Sequence, residues 1–200
     1  LDICETKRIN PNFRKIEGST LKITVEEGIR EITDKSDIDR VELSEQEKVM
    51  VTLEESVWYS FSFYFPDDFL IVDNRLVFAQ WKQYAPHFGS PFLSARYRNN
   101  IFSFKVTAQD VVKVFKEEID LRGKWHSLIV NYKLNKDQLG FAKGWLNNKQ
   151  IMDYRGPMDY FPPPKKIFFK MGLYRDTIDQ PQTVYFKKFR RGQTKDSVVE

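Results

Sequence analysis

Three segments alternate polar and apolar side chains, the spacing that gathers chemistry-bearing groups on one face of a β-strand. In Ile167-Phe-Phe-Lys-Met-Gly-Leu-Tyr-Arg175, one parity holds Ile167, Phe169, Met171 and Leu173, and the other holds Phe168, Lys170, Gly172 and Tyr174. Cations beside a phenol favour its phenolate, so Tyr174 near Lys170 is a candidate acid or base. Gly172 is expected to leave an open floor between them, where a ligand backbone can approach closely. Parity alone is equally compatible with a lysine and a tyrosine on a solvated sheet face. In Leu76-Val-Phe-Ala-Gln-Trp-Lys82 the side chains of Gln80 and Lys82 fall on one face, roughly 7 Å apart. A mid-strand amide needs hydrogen-bond partners, from neighbouring strands or from a ligand. In Phe92-Leu-Ser-Ala-Arg-Tyr-Arg98, Ser94, Arg96 and Arg98 share a parity. Paired guanidiniums suit carboxylates or sulfates held in bidentate fashion, and a charged edge that resists aggregation accounts for them equally well. Arg40 and Glu42 also share a parity and are expected to pair at a cleft edge.

The other reactive residue types are sparse. The two histidines are His87, in the loop Tyr84-Ala-Pro-His-Phe-Gly-Ser90, and His126, which shares the parity of Leu128, Val130 and Tyr132. His87 is a candidate base near Gln80, and His126 reads as a structural residue. No cofactor is implied. Asp67, Asp68 and Asp73 could help hold a structural calcium ion, but no loop has the spaced ligands of an EF-hand. Phosphate-cradling glycine loops, a Gly-x-Ser-x-Gly elbow and a His-Glu-x-x-His pair are absent. The basic run Lys187-Lys-Phe-Arg-Arg191 is short and strand-like, so it reads as a solvated edge rather than a nucleic-acid contact.

Elements able to position these residues are short and numerous. The 200 residues fit one domain, 41% are hydrophobic and 15% aromatic, and the net charge is +4. That composition supports a packed core, excludes disorder of the bulk and favours an anionic partner without choosing between a polyuronate, a nucleic acid and a phospholipid surface. The lone Cys4 excludes an intramolecular disulfide, and with two histidines no Cys/His zinc site can be built. The chain begins at Leu1, which suits a mature, secreted or periplasmic, monomeric protein whose export signal has been removed. Alternation is clearest in Val57-Trp-Tyr-Ser-Phe-Ser-Phe-Tyr-Phe65, and it recurs at Leu21–Val25, Arg40–Ser44, Leu76–Lys82, Phe92–Arg98, Ile101–Val106, Trp125–Leu134, Gly140–Leu146, Ile167–Arg175 and Val184–Phe189. Ala108–Glu118 also reads as a strand. Asn99-Asn100 and Asn147-Asn148 suit tight hairpins. About ten strands without a long amphipathic helix predict an all-β, antiparallel two-sheet sandwich.

Six segments, in order, resemble the heparin lyase I-like polysaccharide lyases, including the glucuronan lyases of polysaccharide lyase family 20. They are Trp58-Tyr-Ser-Phe-Ser-Phe-Tyr-Phe-Pro66, Phe78-Ala-Gln-Trp81, Arg122-Gly-Lys-Trp-His126, Gly144-Trp-Leu-Asn-Asn-Lys149, Asp153-Tyr-Arg-Gly-Pro157 and Phe169-Lys-Met-Gly-Leu-Tyr-Arg175. The resemblance is strongest over residues 40–191 of a single 1–200 domain. It implies a concanavalin A-like β-jelly roll with a groove on its concave sheet, and β-elimination on an anionic, uronic-acid-containing polysaccharide. It maps a carboxylate-neutralising glutamine to Gln80 and an acid, or combined acid and base, to Tyr174. Lys170 and Arg175 match neighbouring cations, although Arg175 has the core-side parity, and Arg40, Arg96 and Arg98 are further substrate-binding candidates. Where many members carry a base histidine, two residues after the glutamine, this chain has Lys82, and no histidine precedes Gln80. Three alternatives stay open: Tyr174 removes the proton itself, Lys82 or His87 substitutes, or the domain is a non-catalytic carbohydrate-binding module of lectin or laminin-G type.

Overall fold

A computed structural model describes residues 4–5, 14–31, 34–52, 55–84, 89–108, 111–134, 140–158 and 165–199. Fourteen strands follow in chain order: β1 (Cys4–Glu5), β2 (Arg14–Glu17), β3 (Thr20–Val25), β4 (Ile38–Glu45), β5 (Val57–Tyr64), β6 (Leu76–Tyr84), β7 (Leu93–Arg98), β8 (Ile101–Ala108), β9 (Val111–Glu118), β10 (Trp125–Lys133), β11 (Gly140–Leu146), β12 (Lys149–Gly156), β13 (Lys166–Asp176) and β14 (Gln182–Gly192). They form two seven-stranded antiparallel sheets, ordered β1-β4-β13-β6-β7-β8-β9 and β12-β11-β10-β5-β14-β3-β2. This is the expected jelly-roll sandwich. The segment after Ala108 is a strand, as its Val-Val-Lys-Val-Phe pattern suggested, whereas β12, the return arm of the Asn147-Asn148 hairpin, was not foreseen as a strand.

Period-two alternation builds the core. On β5, Val57, Tyr59, Phe61 and Phe63 point inward and are almost fully buried, while Trp58, Ser62 and Tyr64 on the other parity are half-buried. Ile167, Phe169, Met171 and Leu173 do the same on β13. Rings from the two sheets interdigitate, with Phe63 and Phe78 centroids 4.7 Å apart and Tyr59 and Phe169 5.2 Å apart. Each such ring contributes about 1.5–3 kcal/mol by burial, with a smaller gain from tilted packing.

Two features set the register. Asn99 and Asn100 have φ of 49° and 58°, and Asn147 and Asn148 have 51° and 65°. Paired positive φ is what a two-residue hairpin turn requires, and asparagine tolerates it. The second feature is the insertion of β13 between β4 and β6, which joins a strand near the C-terminus to two strands from the first half of the chain.

Candidate active site

Two transverse rows of paired residues, polar except for the buried Val77, run across the β4-β13-β6-β7-β8 block. Pairing aligns Ser44, Lys170, Gln80, Ser94 and Lys105 across five neighbouring strands. Arg40, Tyr174, Val77, Arg96 and Ser103 form the second row. Three residue steps along β6 take Gln80 to Val77, the partner of Tyr174, which sets the rows about 10 Å apart. Tyr174, Gln80, Lys170, Arg40 and Arg96 therefore share one face of one sheet. Beside them lies a cleft of about 440 Å³, whose lining includes Arg75, Arg96, Arg98, Ser103, Lys105 and Lys116.

Glu42 organises the space between the rows. Its side chain crosses β13, accepting a 2.5 Å hydrogen bond from Gln80 Nε2 on β6 and lying 3.4 Å from Lys170 Nζ and 3.6 Å from an Arg40 guanidinium nitrogen. Arg40 is held from its other side by Asp34, and Lys170 also reaches Glu31 at 3.6 Å. Glu42 is only 3% exposed, so its charge is balanced by these partners rather than by water. The sequence marked Glu42 merely as a partner for Arg40; its reach to Gln80 depends on the nonlocal order β4-β13-β6.

The expectation of an open floor at Gly172 is corrected by the structure. Gly172 has φ +150°, and a Cβ there would lie 2.1 Å from the Val41 carbonyl oxygen and 2.7 Å from Glu42 Cα. Glycine is required because β4 packs its backbone against this point, next to the irregularity between Met171 and Tyr174. The site of close approach is filled by the protein itself.

Gln80 stands on the expected face but is only 2% exposed, with an amide N–H donated to Glu42. Tyr174 is more open. The Arg40 and Arg75 guanidinium carbons lie 5.0 and 4.8 Å from its ring centroid. Arg75 was not foreseen, because it precedes β6 and has no strand parity to read. It is fixed by Asp176, 2.5 Å from its guanidinium and 2.8 Å from its backbone nitrogen.

Lys82 shares the face of Gln80 but pairs with Phe168, on the side of Gln80 away from Tyr174. Burial lowers its pKa from the usual ammonium value, and the charge of Lys170 adds to the shift. Arg96 donates to Ser94 Oγ at 2.9 Å, and its pKa is likewise lowered by burial first and then by Arg75.

The remaining candidates separate clearly. Arg98 lies at the rim, its side chain 59% exposed and 2.7 Å from Asp73. Arg175 does not reach the outer face. It is 1% exposed on the core side, bound to Asp39 at 3.2 Å, to Gln182 at 3.1 Å and to the carbonyls of Ile178 and Gln180, so a substrate-binding role is corrected to a structural one. His87 lies outside the described residues. His126 is buried, with Nε2 3.1 Å from the Leu121 carbonyl and Nδ1 2.9 Å from Asn147 Nδ2, as a structural residue should be. As for calcium, Asp73 is engaged by Arg98, and among the described residues no group of three or more His, Cys, Asp or Glu side chains could hold a metal ion.

Comparison with known proteins gives this geometry its context. The polysaccharide lyase family profile matches residues 10–190. The chain belongs to the polysaccharide lyase family. Among solved structures it is similar to an endo-β-1,4-glucuronan lyase from the fungus Trichoderma reesei, with TM-score 0.74 and 15% identity over 98% of this chain and 92% of that one. It also resembles the family 7 alginate lyase A1-II′ (TM-score 0.68, 12% identity, 91% and 83% coverage) and the family 18 polysaccharide lyase aly-SJ02 (0.66, 12%, 96% and 96%). At these identities the structural likeness is one of fold. No curated protein matches the chain by sequence. As a member of this family the protein is a polysaccharide lyase.

Proposed function

We propose that this lyase cleaves a uronic-acid polymer by β-elimination on the outer face of the β4-side sheet, with Tyr174 as the proton-transferring group. The observation that carries the reading is the placement of Tyr174, part-exposed, between the Arg40 and Arg75 guanidiniums and in one row with Arg96. The glucuronan and alginate lyases it resembles are named for polymers of this class.

In β-elimination the C5–H and C4–O4 bonds break, a C4=C5 double bond forms, and the proton ends on the departing O4. The C5 proton is weakly acidic because the adjacent carboxylate resists further negative charge. Cations around that carboxylate stabilise the charge that develops as the proton leaves. Arg96, in the row of Tyr174, and Lys170, in the row of Gln80, are the cations closest to where it would lie. Tyr174, in its deprotonated form, accepts the proton from C5. As phenol it then returns the proton to O4, so one group serves as base and acid. Lys82, beyond Gln80, acts as a counter-charge rather than the base. Gln80, covered by Glu42, is a positioning residue: it anchors the carboxylate that holds Lys170 and Arg40 in place around Tyr174. A polymer too large to enter a cell also favours a secreted or periplasmic site of action.

The test is incubation with glucuronan, alginate and heparin, following ultraviolet absorbance of the unsaturated uronate. We expect product from at least one polymer and a loss of about 10³-fold or more in Tyr174→Phe, with Lys82→Gln raising KM while leaving most of kcat. Full activity in Tyr174→Phe, or no product from any uronate polymer despite binding, would overturn the assignment.

A further inference from the structure

The opposite sheet carries a second row that the groove does not use. On its solvent side, pairing sets Trp125 of β10 opposite Tyr64 of β5, Tyr64 opposite Tyr185 of β14, and Tyr185 opposite Lys22 of β3. Four neighbouring strands thus place three aromatic rings and an ammonium in one line. Ring centroids are 5.6 Å apart for Tyr64 and Trp125 and 5.8 Å for Tyr64 and Tyr185. Lys187 Nζ sits 3.7 Å from the Trp125 centroid, and Lys22 Nζ 5.9 Å from that of Tyr185. Among the described residues, neither ammonium is salt-bridged to a carboxylate. Apart from Lys187, outward neighbours along the strands are small, with Ser62 paired to Ser127 and Thr24 hydrogen-bonded to Thr183, so the rings stand as a ridge. Trp125 is 38% exposed.

We propose that this ridge is a second binding site for an anionic polysaccharide chain, lying across the sheet away from the cleaving groove. Three inter-strand steps give the row a length of about 14 Å, roughly three pyranose rings laid end to end. Aromatic faces accept the axial C–H groups of sugar rings, and tyrosine and tryptophan add a polar edge for hydroxyls. Lys22 and Lys187 supply positive charge at both ends of the aromatic segment, which suits carboxylates on an otherwise C–H-rich chain. Cross-strand stabilisation alone would not require ammonium groups held against the rings with no carboxylate partner among the described residues. The identity of the polymer rests on the groove being a uronate site; the ridge itself would keep a long chain attached between cuts.

The experiment uses affinity electrophoresis in gels containing glucuronan or alginate, with the Tyr174→Phe protein so that the polymer stays intact. Adding Trp125→Ala and Tyr185→Ala should weaken retention by about fivefold or more. The same pair of changes in the otherwise native enzyme should leave kcat on a tetrasaccharide unchanged and raise KM on long polymer. Lys187→Gln, which disturbs no core residue, should weaken retention in a salt-dependent manner, and it decides the matter if the double variant melts early. Unchanged retention in Lys187→Gln and in Trp125→Ala alone overturns the proposal. Failure of the groove reading has a different signature: no unsaturated product from any polymer, with retention still sensitive to Trp125.

Discussion

Glu42 offers the sharpest test of how the site is held together. In Glu42→Ala, Gln80 loses the acceptor of its buried amide N–H, a cost of about 1–3 kcal/mol. Lys170 and Arg40, each with a side chain 13% exposed, lose a nearby counter-charge. They keep Glu31 and Asp34, so the full penalty of breaking a buried ion pair does not apply. A total near 3 kcal/mol lowers Tm by about 6–12 °C for a domain of this size. Glu42→Gln retains an acceptor for Gln80 and removes only the charge, so about 1 kcal/mol is expected. On activity, freeing Lys170 and Arg40 misplaces the cations around Tyr174, and kcat should fall about 100-fold in the alanine variant, with a partial loss in the glutamine variant. The assay is unsaturated-uronate formation at a temperature where circular dichroism shows both variants folded. The reasoning is refuted if Glu42→Ala loses stability yet keeps its kcat. A rise in kcat/KM would also refute it, since Glu42 would then be an obstacle over Gln80 rather than its anchor.

Two further outcomes are expected. Arg175→Met leaves Asp39, 0% exposed, without its buried counter-charge and should cost about 3–5 kcal/mol in urea denaturation, while the folded fraction keeps its specific activity; a selective rise in KM would instead return Arg175 to the substrate. Burial lowers the His126 pKa below its usual 6.5, so between those two values the unfolded chain binds more protons than the folded one. Stability should therefore fall as pH drops from just above 6.5 through the folded pKa, and urea midpoints measured from pH 7.5 to 5 should show a smaller decline in His126→Gln than in the native protein.

Local sequence determined which side chains share a face and where the chain turns. Alternation is a backbone property, so the core parity of β5 and β13, the outward parity of Lys170, Tyr174, Gln80, Lys82 and Arg96, and both Asn-Asn turns were legible before any fold was known. The same parity marked Arg175 as core-facing, against the expectation drawn from the motif, and its burial against Asp39 follows that parity.

Strand order belonged to the tertiary structure alone. Nothing local states that β13 lies between β4 and β6, because that pairing joins segments far apart in the chain and is decided by which sheet faces bury the most apolar surface together. On that order rest the reach of Glu42 over β13 to Gln80, the use of Gly172 for backbone packing, and the position of Arg75 over Tyr174. Parity assigns a residue to a face, and only the neighbouring strand decides what it meets there.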